Sequence, residues 1–119
     1  MNDSLFFKIK EAVTQWLQDN KLKFENRNIV IETVENNEEC LYVIINFEEC
    51  MAAIVVAIPD FAPYRYVSLE AVDIVNDMHK TVYAWYDDDE TTIDDVIENL
   101  NRAINIVAEY STSKSKTSI

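Results

Sequence analysis

Residues 40–58 read CLYVIINFEECMAAIVVAI, and the reading of this stretch decides the fold. Two apolar runs rich in β-branched residues, Cys40–Phe47 and Met51–Ile58, flank the pair Glu48-Glu49, as in a hairpin. Side chains alternate along a strand. If Phe47 pairs with Cys50, one face therefore carries Leu41, Val43, Ile45 and Phe47 with Ala52, Ile54, Val56 and Ile58. The other carries Tyr42, Ile44 and Asn46 beside Met51, Ala53, Val55 and Ala57. A Glu-Glu turn is a poor one, because two-residue hairpins favour positive φ. A longer loop would slip the register by one and exchange the faces.

Both faces of this hairpin are apolar, whereas an antiparallel sheet facing water normally alternates. The face of large aliphatics must pack on helices. The second face needs a cover too, supplied either by the first helix or by another chain. Small residues flanked by Tyr and Met suit a protein-binding surface. Tyr42, Ile44, Met51, Ala53 and Val55 are the candidate contact residues, with Tyr83 and Trp85 of a later strand extending the set, aromatics being common interface anchors.

Outward from the hairpin, Leu5, Phe6, Ile9, Ala12, Val13, Trp16 and Leu17 form a helical stripe over residues 4–20. Ile29–Val34 predicts the first strand, and the Asn-rich turn after it tolerates left-handed backbone. Beyond Pro59 and Pro63, Val67, Ala71, Ile74, Val75 and Met78 predict a second helix from Tyr66 to His79. Thr81–Tyr86 predicts a fourth strand. Thr92 with Asp95 predicts a capping box that opens a third helix running to Tyr110. The expected architecture is α+β, an antiparallel sheet of about four strands packed with three helices in the order α-β-β-β-α-β-α. One domain over residues 1–112 and a disordered tail over 113–119 complete it.

Composition narrows the chemistry. The 119 residues carry a net charge of −12, with about −15 concentrated on residues 28–113. Such a surface repels phosphate backbones and anionic lipid, so neither nucleic acid nor membrane is an expected partner. Basic proteins are compatible with it. Cys40 and Cys50 are the only cysteines; the register above sets Cys40 opposite Ala57, away from Cys50, so no disulfide is expected. No leader resembling a signal peptide opens the sequence, which makes the cytoplasm the expected compartment.

The chain has no glycine. Phosphate-binding loops, dinucleotide fingerprints and nucleophile elbows depend on glycine, and none can be written here. His79 is the single histidine, placed by this reading at a helix end where a cation favours the dipole. Asp87, Asp88, Asp89 and Glu90, followed by Asp94 and Asp95, form the densest carboxylate cluster. Calcium takes several oxygens from one loop, but recognisable calcium loops contain glycine, and a solvated turn before a helix N-terminus explains the cluster. No catalytic residue, metal site or cofactor is expected, and the chain does not read as an enzyme.

The segment AIPDFAPYRYVSLEAVDIVNDMHKTVYAWYDDD, residues 57–89, resembles the YbjN-like family of putative sensory-transduction regulators. There an apolar strand enters a Pro-containing connector, then a helix with a Val-Asn motif (here Val75-Asn76), then a strand ending in acidic residues. The family is similar in fold to type III secretion chaperones, with the order α-β-β-β-α-β-β-α. It places a further strand where this chain reads as helix from Thr91. The resemblance implies a small, acidic, often dimeric protein without enzymatic activity. The expected function is a non-catalytic, chaperone-like protein-binding module, a homodimer engaging a protein partner whose identity the sequence does not give. The alternatives are an immunity or antitoxin-type inhibitor of a basic protein, or a small metal-binding protein using the acidic turn 87–95.

Overall fold

The computed structural model describes residues 3–58, 65–75 and 80–117. Five strands lie between two helices: α1 (Asp3–Asn26), β1 (Val30–Asn36), β2 (Cys40–Asn46), β3 (Cys50–Ala57), β4 (Val67–Asp73), β5 (Thr81–Tyr86) and α2 (Ile93–Thr117). The sheet is an antiparallel meander in sequence order, β1-β2-β3-β4-β5. Both helices lie on the same face and touch each other, α1 over β1 and β3, α2 over β4 and β5.

The hairpin register is the one in which Phe47 faces Cys50. The Phe47 N–H donates to the Cys50 carbonyl at 2.9 Å, and Cys40 stands opposite Ala57. Neither Glu48 nor Glu49 adopts positive φ. The turn is held from outside instead: the Glu49 N–H donates to Ser111 Oγ of α2 at 2.9 Å, and the Glu49 carbonyl accepts the Ile74 N–H at 3.0 Å. At the β1–β2 turn, Asn37 Oδ1 accepts the N–H groups of Glu39 and Cys40 at 2.8 and 2.9 Å, so a side chain supplies what a left-handed glycine often permits.

Asn28 is the only described residue with positive φ, at 61°. It ends α1. The Ile29 N–H donates to the Phe24 carbonyl and the Asn28 N–H to that of Glu25, at 2.9 and 3.1 Å. That is the Schellman pattern, with Asn in the role glycine usually takes and buried Phe24 against buried Ile29. The polar run from Asn20 is thus still helix, and α1 ends six residues later.

The core fills the space between helices and sheet. Phe6, Ile9, Val13, Trp16 and Phe24 come from α1, and Val96, Leu100, Ala103, Ile104, Val107 and Ala108 from α2. Leu41, Val43, Ile45, Ala52, Ile54, Val56, Val67, Leu69 and Ala71 meet them from β2, β3 and β4. Burying each large aliphatic is worth about 1.5–3 kcal/mol. Side-chain hydrogen bonds help fix α2: Trp16 Nε1 donates to Asn101 Oδ1 at 2.8 Å, and the Tyr83 hydroxyl to Asn99 Oδ1 at 3.0 Å.

Three expectations are corrected. The second helix does not form: residues 67–73 are β4, and its far end, His79 included, lies outside the described residues, as do Pro59–Pro63 and Asn76. A strand inserted between β3 and β5 can pair its backbone on both sides, and that pairing outweighs the helical preference of Leu69, Glu70 and Ala71. Among the described residues the count becomes five strands and two helices, within the same α+β class. The first helix does not cover the second sheet face, since it packs on the same side as α2. Finally, α2 does not end at Tyr110 but continues to Thr117. Among the described residues no helix is long and apolar enough to cross a membrane.

Candidate functional site

The second face of the hairpin is where the sequence and the fold disagree with water. Tyr42, Ile44 and Asn46 of β2 lie beside Val55, Ala53 and Met51 of β3, all partly exposed, with neither helix above them. β4 adds Ser68, Glu70 and Val72 to this face, and β5 adds Ala84 and Tyr86, the latter 42% exposed. On the other side β1 contributes Val30, Glu32 and Glu35, opposite Asn46, Ile44 and Tyr42.

Five of the seven expected contact residues, Tyr42, Ile44, Met51, Ala53 and Val55, come together on this open face. Tyr83 and Trp85 do not join them. They pair with Ala71 and Leu69, whose side chains point into the core, and both pack beneath α2. Alternation along β5 leaves Ala84 and Tyr86 on the open side, so Tyr86 is the aromatic that extends the face. The pairing partner of β5 decides this, and that partner is the strand the sequence reading took for a helix.

No basic residue occurs in any of the five strands. The open face holds Glu32, Glu35 and Glu70, all exposed, around a centre of apolar and small side chains. Cys40 sits at one end of it, beside Glu35, and Cys50 is buried on the opposite side. Burial first, then the charge and hydrogen bonding of the Glu35 carboxylate, push the Cys40 thiol above its ordinary value, with Lys10 opposing them.

The acidic cluster is built for structure. Asp87 is buried, and its Oδ1 accepts the backbone N–H groups of Arg65, Tyr66 and Val67 at 2.9, 2.8 and 2.9 Å. Arg65 Nε reaches its other oxygen at 3.3 Å, while the same guanidinium donates to the Thr91 carbonyl at 2.9 Å. Together they lock the start of β4 to the end of β5. Asp88 Oδ1 accepts from the Glu90 N–H and Thr91 Oγ1. Asp95 and Thr92 make the reciprocal capping box that their spacing predicts, at 3.0 and 3.1 Å. Among the described residues no three His, Cys, Asp or Glu side chains converge as metal ligands would.

Two concavities run between α1 and the edge strand β1. One, of about 370 Å³, is lined by Lys21, Glu25, Asn28, Ile29, Val30 and Ile31. A second, of about 290 Å³, shares Lys21 and Ile31 and reaches Leu17 and Leu41. Both are open and mainly backbone and aliphatic; Lys21 and Glu25 are their only ionisable side chains. Compared with protein-family models, with curated proteins and with solved structures, the chain matches none of them.

Proposed function

We propose that the chain is a non-catalytic protein-binding module whose open sheet face receives a protein partner. The observation that carries this reading is the apolar centre of Tyr42, Ile44, Met51, Ala53 and Val55 left without a helix above it. Sheet faces turned to water alternate or are polar, and exposed apolar patches rimmed by charge mark interaction sites. Two carboxylates of the acidic turn already hold the fold, Asp87 through three backbone donors and Asp95 through a helix cap.

The chaperone-like part of the proposal rests on the order of elements. Among the described residues, the chain shares the opening helix, the five strands and the closing helix of the YbjN-like order. Cys40 and Cys50, on opposite sides of one sheet and not joined in a disulfide, suit a reducing compartment, and the cytoplasm is the proposed location. The homodimer is one form the interaction can take.

The test is a comparison of the wild-type chain with Ile44→Asp, after circular dichroism has shown both folded. Each is immobilised at equal density and exposed to native extract, and the wild type is sized by light scattering. A partner, or a second copy, held by the wild type and lost from Ile44→Asp supports the reading. Identical retention by both chains, with identical mass in solution, sinks it.

A further inference from the structure

The chemistry and shape of the missing partner can be read from the arrangement of charge on the open face. In the row that crosses the sheet at mid-height, Glu32 of β1, Ile44 of β2, Ala53 of β3 and Glu70 of β4 stand side by side. At about 4.8 Å per strand, the two carboxylate positions are roughly 14 Å apart, with a strip two strands wide between them. That strip is apolar at Tyr42, Ile44, Met51 and Val55, and small at Ala53.

We infer that this trough seats an amphipathic helix of another protein, apolar below and lysine- or arginine-rich along both flanks. The inference rests on the open face being a binding surface and specifies what binds there. An α-helix is about 10–12 Å across, so it fits between Glu32 and Glu35 on one flank and Glu70 on the other. Its basic side chains can lay their aliphatic stems over the strip and reach the carboxylates on either side. Seven residues of strand span about 23 Å, enough for about 15 residues of helix. Ala53 lets the backbone of the guest approach closely.

An extended peptide does not fit the same place. The sheet's hydrogen-bonding groups lie in its own plane, so a strand laid face-on would bury unpaired N–H and C=O groups. A helix satisfies its own. A second copy of the chain, face to face, would bring Glu32, Glu35 and Glu70 of both molecules together without one cation from any strand. Desolvated like charges of that kind oppose association.

The probe is an 18-residue amphipathic helix of leucine and lysine, fluorescently labelled, with a leucine–glutamate counterpart of the same pattern. Binding is followed by anisotropy at low and at physiological salt. The leucine–lysine helix is expected to bind the wild-type chain and the leucine–glutamate helix to fail. Affinity should drop at least about tenfold for Glu32→Lys/Glu70→Lys, close charge pairs across an interface being worth that much. It should drop similarly for Ile44→Asp. Equal binding to the double charge reversal overturns the inference, because the cationic helix is then held by the acidic surface elsewhere. A wild-type dimer that Ile44→Asp converts to monomer also overturns it, since a second copy then fills the trough, while the open face stands as a binding surface. If partner capture fails for Ile44→Asp but survives the charge reversal, the basic helix is wrong and the binding face is not.

Discussion

The sheet has two apolar faces made from the same two strands, and α1 and α2 roof one of them. On the roofed side Val43, Ile45, Ile54 and Val56 are fully buried beneath α1 and α2. On the other side Tyr42, Ile44, Ala53 and Val55, each one residue away along the strand, keep part of their surface in water. Charge separates them further: Glu32, Glu35 and Glu70 stand on the open side. A face that only had to meet solvent would carry no reason for Ile44, Met51 and Val55. A face already buried would not tolerate Glu32 and Glu70. The difference teaches that a face packed under helices and a face left open can be written on alternate positions of one sequence.

Neighbouring residues can break this contrast most directly. Ile54→Asp places an unpaired carboxylate in the core and should cost several kcal/mol, a large part of the roughly 5–15 kcal/mol that holds such a domain together. Val55→Asp, one residue on, should cost about 1 kcal/mol or less in urea denaturation and leave the circular dichroism spectrum native. If both variants unfold alike, the open face is core and the contrast fails. The next largest effect belongs to the carboxylates. Asp87→Ala strands three backbone N–H groups and the Arg65 guanidinium, a loss of about 3 kcal/mol or more. Asp88→Ala, in an exposed turn, should stay within about 1 kcal/mol. Equal losses would mean that the acidic cluster acts as one charged patch and not as a set of separate anchors.

Where local chemistry was sufficient, the sequence was readable. The hairpin register followed from two matched apolar runs, and the helix start at Thr92 from the spacing of Thr92 and Asp95. The stretch VSLEAVD, residues 67–73, was not readable, because it satisfies two periods at once. Val67, Ala71, Ile74 and Val75 match a helix; Val67, Leu69 and Ala71 match a strand, and a buried Asp73 interrupts that pattern. Asp73 is held by the Tyr110 hydroxyl at 2.8 Å, a contact across 37 residues that no local window contains. Missing β4 then misplaced Tyr83 and Trp85, since the face a strand presents depends on its neighbour. The open centre of the candidate site was legible; its flanking glutamates were not, because their rows exist only once β1 and β4 are aligned on the hairpin.

The smallest effect uses the two thiols as reporters, one for each face. Cys50 is sealed under the helices and should react with a thiol reagent only when the chain opens. Cys40 is partly exposed and should react in the native state, though more slowly than a free cysteine, because burial and the Glu35 carboxylate raise its pKa. A raised value means that folding favours the neutral thiol. That contribution is complete at neutral pH and is lost as the pH climbs through the thiol's folded value, so the reaction should accelerate at a higher pH than in the unfolded chain. Glu35→Gln removes the neighbouring charge and should quicken Cys40 a few-fold at neutral pH without touching Cys50. A saturating leucine–lysine helix seated in the trough should slow Cys40 again, since the thiol stands at its end. Labelling of Cys50 before Cys40 would reverse the assignment of the two faces and, with it, every inference drawn from the open one.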